Sequence, residues 1–191
     1  ACKGDLVAFL DLIMEKGYAF EPDPDNCVIL QDRFCDELIG NVTIIPEAVS
    51  KLDGEVSFYT AVFDATARQG RNRYAAKRCG NLLGHDANFT ELTDSITVPS
   101  VTLDTYFKDK QLDFIKLDVE GAEWDVFRGA TNLLKDRDIL WQVEFHYDKD
   151  WEQRNMLYDL GYNIFDLDYK KLSKSDSRPY QAFLSKKEEL L

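Results

Sequence analysis

The sequence predicts an α/β protein on a doubly wound, mostly parallel sheet with an antiparallel strand near its C-terminal end. Three observations carry that prediction. Helix-like and strand-like patterns alternate from one end of the chain to the other, which implies parallel strands covered on both faces. Ionisable residues gather at the ends of the strand candidates, where such sheets bind their ligands. The last two strand candidates, Asn163 to Asp168 and Pro179 to Ser185, lie close enough in sequence to pair antiparallel.

The elements follow in order. Asp5 to Lys16 reads as an amphipathic helix with Leu6, Phe9, Leu10 and Ile13 on one face and Gly17 as its stop. Tyr18 to Phe20 is a short buried strand. Glu21-Pro22-Asp23-Pro24 turns the chain into a second helix that runs to about Leu38 and ends at Gly40. Val42 to Ile45 is the next strand. Glu55 to Val62 alternates like a hairpin arm, with Asp53-Gly54 as its turn signal. Ala65 to Asp94 is polar and without period, so it reads as a long loop, insertion or lid. Thr102 to Phe107 is a short helix, Asp113 to Asp118 a strand and Glu120 to Lys135 a helix carrying Trp124, Phe127 and Leu134. Ile139 to Phe145 is a strand, and Trp151 to Leu160 a helix closed by Gly161. The tail from Lys186 to Leu191 reads as solvated.

Composition narrows the function classes. The chain has 191 residues, 45% hydrophobic and 13% aromatic, so it is neither disordered nor collagen-like. A domain of this size hides roughly 70% of its unfolded surface. The longest apolar run, Leu6 to Met14, is broken by Asp11 and is too short for a membrane span. A net charge of −12, from 35 acidic and 23 basic residues, disfavours nucleic acid as a partner. Cys2, Cys27, Cys35 and Cys79 lack CxxC spacing and read as free thiols of a reducing compartment, which points to the cytoplasm.

Several strand ends carry chemistry. Glu21 follows a strand at the place where nucleoside-binding folds hold ribose hydroxyls; the alternative is an acid that simply favours a helix start. Lys116 and Asp118 share a strand face, and a lysine there needs a partner or an opening, with a structural ion pair to a neighbouring carboxylate as the favoured reading. Glu144 and His146 repeat that spacing on the next strand. His146, one of two histidines, is suited to general-base work, or it is a structural histidine bonded to Glu144 or a carbonyl. Asp118, Glu144 and His146 also make a weak divalent-metal set. Arg68, Arg71, Arg73, Lys77 and Arg78 read as a solvated loop, with an anionic substrate as the alternative.

The segment Asp113-Phe-Ile-Lys-Leu-Asp-Val-Glu-Gly-Ala-Glu123 resembles the signature of the FkbM-type methyltransferase family. Ala19-Phe-Glu-Pro-Asp-Pro24 resembles that family's second-strand motif. Ala48-Val-Ser50, Gly54, Val101-Thr-Leu-Asp104, Val143-Glu-Phe-His146 and Leu160-Gly-Tyr162 fall in the family's order. The resemblance implies one Rossmann-like methyltransferase domain over 1–191, of the class I type, that uses S-adenosyl-L-methionine and methylates a hydroxyl of a small molecule or saccharide. In that family a glycine-rich loop after the first strand cradles the methionine part of the cofactor. Only its tail, Ala1-Cys2-Lys3-Gly4, matches here, so the first strand is expected to lie upstream or to be missing. By the same resemblance Ala1, Lys3 and Gly4 lie beside the cofactor and Glu21 and Pro22 at its ribose. Glu47 and Ala48 fall near its adenine, and Asp118 faces the reacting methyl group. Glu120 and Glu123 match the motif and read as structural.

The mechanism expected from this reading makes His146 or Asp118 the base for the acceptor hydroxyl, with Glu144 orienting the imidazole. Two alternatives belong to other classes. A nucleoside- or partner-binding module without catalysis would bind cofactor but transfer no methyl. An NAD-dependent oxidoreductase is disfavoured because no GxGxxG is present.

Overall fold

A computed structural model describes residues 15–34, 41–62, 78–82 and 94–190. The chain divides into two compact units, Ala1–Ala48 with Gly54–Ser100 and Val49–Asp53 with Val101–Leu191. The expected N-terminal helix, apart from its last two residues, lies outside the described residues, as do Ala1, Lys3 and Gly4.

In the first unit, strands β1 (Gly17–Phe20) and β2 (Val42–Ile45) pair in parallel, with Gly17 opposite Val42 and Phe20 opposite Ile45. Between them runs helix α1 (Pro24–Phe34), which buries Cys27 and Leu30. Residues 35–40, the expected end of that helix, are outside the description. A second sheet has the order β3 (Ala48–Val49), β6 (Asp94–Val101), β4 (Gly54–Val62), β5 (Arg78–Asn81). β4 pairs antiparallel with both β5 and β6. Ala48, Phe58 and Val98 form its buried apolar centre.

Two expectations change here. The stretch read as one irregular loop contains β5, with Arg78 in that strand, and reaches the first residue of β6. The whole of β6 went unforeseen, although Ile96, Val98 and Ser100 turn inward while Ser95, Thr97 and Pro99 face out. Pro99 and the polar neighbours hide that period-two pattern, because proline argues against a strand interior. The Asp53-Gly54 signal also has a different purpose. Asp53 Oδ1 accepts the Thr102 N–H at 2.7 Å and Oδ2 the Thr105 hydroxyl at 2.7 Å. It therefore closes the start of α2 (Leu103–Tyr106), whose N-cap is Thr102. These hydrogen bonds hold the Asp53 carboxyl below the usual carboxylate range.

The second unit holds a four-stranded sheet in the order β7 (Phe114–Leu117), β8 (Leu140–Glu144), β10 (Gln181–Ser185), β9 (Asn163–Phe165). β7 and β8 are parallel, and β10 is antiparallel to β8 and to β9, as the C-terminal spacing predicts. Among the described residues the strands form three sheets: β1–β2 is a parallel pair, β4 pairs antiparallel with β5 and β6, and the β7-β8-β10-β9 sheet is of mixed direction. The helix expected over 120–135 is two short ones, α3 (Glu123–Arg128) and α4 (Thr131–Asp136), broken at Gly129 and Ala130. Asp104 accounts for the break. Its carboxylate accepts the Asn132 and Leu133 N–H groups at 2.9 and 2.8 Å, and its own N–H donates to Gly129 O. The chain from 148 to 159 is a 3-10 turn followed by α5 (Asn155–Asp159), with Gly161 at φ +83° just beyond. Trp124, Phe127, Trp141 and Phe145 form the aromatic centre of this unit. No helix among the described residues is long and apolar enough to cross a membrane.

Gly129 fixes the corner between α3 and α4. A Cβ there would lie 2.2 Å from the Ser50 carbonyl oxygen, and backbone cannot give way as a flexible side chain does. Gly129→Ala is expected to lower stability by about 1–3 kcal/mol. Urea unfolding is the measurement: the midpoint should fall with an unchanged slope, and an unchanged midpoint would contradict this close approach.

Candidate functional site

The first unit presents Glu21 at the carboxyl end of β1. Its N–H donates to Ile45 O at 3.0 Å, so the residue continues the parallel pairing into the turn. Its side chain is buried, and Oε1 accepts the Asp23 N–H at 3.1 Å. The helix start is served by another acid. Asp23 Oδ1 accepts the Asp25 N–H at 2.9 Å and approaches the Asn26 N–H at 3.4 Å, with Pro24 as first helical residue. Capping is thus assigned to Asp23. Pro22 is half-buried beside it. Cys27 is a free thiol whose Sγ donates to Glu21 O at 2.9 Å; burial pushes its pKa up, with Glu21 and Asp23 adding to the effect. Of the two residues expected at adenine, Glu47 is half-buried and Ala48 belongs to the apolar centre with Phe58 and Val98.

The second unit gathers a carboxylate–histidine cluster where β7 and β8 end. The turn after β7 carries two consecutive left-handed residues, Glu120 at φ +53° and Gly121 at φ +102°. Glycine adopts this conformation freely, whereas for Glu120 it costs about 1 kcal/mol or more. The turn aims the Gly121 N–H at Glu123 Oε1, 2.8 Å away. The same oxygen meets His146 Nδ1 at 2.7 Å. A carboxylate only accepts, so Nδ1 carries the hydrogen and the other ring nitrogen is the proton-accepting one. That nitrogen, Nε2, lies 3.4 Å from Glu120 Oε2 and 3.9 Å from Asp118 Oδ1.

This corrects the expected partner of His146. Glu144 does not orient the imidazole. It accepts from Gln181 Nε2 at 2.9 Å and from Lys116 Nζ at 3.4 Å. The physical reason is strand pairing: Gln181 is the cross-strand partner of Glu144, and Lys116 lies on the neighbouring strand β7. Lys116 also donates to Asp118 Oδ2 at 3.0 Å, which is the ion pair its position demands. Glu123, read from the sequence as structural, is the orienting acid. Burial is the signal that finds it, since it precedes Trp124 in a run that faces the interior. Asp118, Glu120 and His146 each offer one ligand atom, all within 4.8 Å of one another, a set that three ligands of a divalent ion require. In that set Glu120 takes the place expected for Glu144.

The cluster tunes His146 as a proton acceptor. Its pKa is raised above 6.5, first by the hydrogen bond to Glu123, against burial, and further by the charges of Glu123, Glu120 and Asp118. Tyr180 stands beside it, with ring centroids 5.9 Å apart and planes at 74°.

Comparison with known proteins follows the same direction. The sequence profile described as Methyltransferase FkbM domain matches residues 1–170. The fold is similar to a crystal structure of the methyltransferase FkbM from Methylobacillus flagellatus KT, with a TM-score of 0.58 at 15% identity. That match covers 95% of this chain and 40% of the other, so the chain spans less than half the length of that protein. No curated protein sequence matches.

The raised pKa of His146 has a defined sign in stability. Its contribution is full below about pH 6.5 and is lost as pH rises through the higher folded value. Proton NMR of the His146 ring, assigned by its absence in His146→Gln, should show a midpoint above 6.5 that falls in Glu123→Gln. The loss of unfolding free energy between pH 6 and 9 should shrink in both variants. A midpoint that ignores Glu123→Gln would remove the orienting role of that acid.

Proposed function

The chain belongs to the FkbM methyltransferase domain family, and from that premise we propose that it methylates a hydroxyl oxygen of a small-molecule or saccharide acceptor, using S-adenosyl-L-methionine. The observation that carries the proposal is the Glu123–His146 pair, an imidazole with one nitrogen committed to a buried carboxylate and the other left to accept a proton. Such a pair is the equipment of an enzyme, and it favours this reading over a binding module without catalysis. The parallel pairs β1–β2 and β7–β8 support a Rossmann-like arrangement as part of the same reading. The buried free thiol of Cys27 supports a reducing, cytoplasmic setting.

Glu21 fits the ribose of the cofactor. It is a buried carboxylate at the end of a parallel strand, and a carboxylate is an acceptor suited to ribose hydroxyls. When bound, S-adenosyl-L-methionine would supply an electrophilic methyl group whose bond to the sulfonium sulfur breaks as the acceptor oxygen bonds to it, the neutral thioether being the leaving group. The residues of this chain have the remaining tasks. His146 Nε2 takes the hydroxyl proton as the oxygen–carbon bond forms. Glu123 keeps the ring in the required tautomer and stabilises the imidazolium, and Asp118 and Glu120 add to that stabilisation from the other side. Asp118 stands as the second candidate base. Most of the rate comes from holding the acceptor oxygen in line with the methyl group.

Calorimetric titration of S-adenosyl-L-homocysteine tests the cofactor assignment. Glu21→Ala is expected to weaken binding about 10- to 100-fold, the loss of one or two hydrogen bonds to a charged group. Equal affinity in both proteins would remove Glu21 from the cofactor site. With an acceptor in hand, His146→Ala should lower turnover about 10²- to 10⁴-fold, and full turnover in that variant would exclude the histidine as base.

A further inference from the structure

We infer that the acceptor is an uncharged, hydroxyl-rich ring seated on the face of Tyr180, with Asp118 and Glu120 accepting hydrogen bonds from its hydroxyls. The inference rests on the methyltransferase reading and adds to it a specificity residue and an excluded class of acceptors.

Tyr180 is 59% exposed and yet held from three directions. Its ring meets the His146 ring nearly at right angles, its hydroxyl lies beside the Glu144 carboxylate, which pushes its pKa up, and its carbonyl accepts the Phe145 N–H at 2.8 Å. An aromatic ring fixed in place with much of its surface in water is a ready platform. Its electron-rich face attracts the slightly positive C–H bonds of a saturated ring, while its apolar area favours leaving water.

Charge decides the rest. Asp118, Glu120, Glu123 and Glu144 surround this position. The cations beside them are already paired. Lys116 lies between Asp118 and Glu144, and Arg178 is bound to Asp148 and to the Phe145 and Pro179 carbonyls. Negative charge therefore exceeds positive, even with His146 protonated. An acceptor bearing carboxylate, phosphate or sulfate would be repelled. Asp118 and Glu120 keep about a third or more of their side-chain surface open, at 35% and 39%, and carboxylates accept hydroxyl hydrogens readily. A neutral polyol ring meets both the platform and the charge.

The test is saturation-transfer NMR on the full chain with S-adenosyl-L-homocysteine present. The probes are methyl glycosides of glucose, mannose and galactose, and the matching glucuronide and galacturonide. Calorimetry on the same samples measures S-adenosyl-L-homocysteine binding. Transfer is expected from at least one neutral glycoside, with its uronate about tenfold or more weaker. Tyr180→Ala should abolish the transfer and Tyr180→Phe should retain it, circular dichroism showing both to be folded. Asp118→Asn with Glu120→Gln should narrow the gap between neutral glycoside and uronate. The inference is overturned if no neutral glycoside receives transfer, if uronates bind equally well, or if Tyr180→Ala binds as the parent does. Cofactor binding without any glycoside binding would sink this inference alone. Absence of cofactor binding in a folded chain would instead remove the methyltransferase reading beneath it.

Discussion

Glu123 places a carboxylate where only 2% of its surface meets water, and the geometry around it follows from the need to supply hydrogen bonds there. One donor is the Gly121 N–H, which points the right way only because the turn after β7 is left-handed at Glu120 and Gly121. The other is His146 Nδ1. The neighbouring side chains hold the two partners in register. Trp124, next to Glu123, stacks on Phe145, next to His146, with centroids 5.6 Å apart and planes at 27°. Phe145 in turn meets Trp151 edge-on. A stacked aromatic pair in the interior thus aligns a hydrogen-bonded pair at its margin.

A second constraint runs across the sheet. β8 lies between β7 and β10, with Trp141 and Val143 buried on one face and Gln142 and Glu144 half-buried on the other. Lys116, Glu144 and Gln181 link the three strands through their side chains on that second face. The link separates two carboxylates by task. Glu144 is tied to its strand neighbours, while Glu123 is free of them and governs the imidazole. Two acids that look interchangeable in sequence are distinguished by what each strand pairs with.

The first unit solves a smaller problem of the same kind. Glu21 and Asp23 are both buried acids within one turn. Asp23 caps α1, and its N–H braces Glu21, so the cap of the helix also sets the orientation of the acid at the strand end.

Much of this was legible in the chain itself. Strands at 42–45, 114–117 and 140–144, the short helix after Thr102 and the stop at Gly161 follow from apolar runs and terminal residues whose effects are local. So does the placing of Asp118 and His146 at strand ends, since a period of two and a turn signal need no distant partner. Tertiary structure decided what depends on partners far along the chain. β6 was hidden because its alternation gains meaning only beside β4. The break at Gly129 is enforced by Ser50 and Asp104, at 79 and 25 residues' remove in sequence. Glu123 rather than Glu144 orients His146 because strand pairing had already engaged Glu144. Local chemistry is written in the order of residues, whereas the choice among several equivalent acids belongs to the packing that brings one of them, and not another, to the histidine.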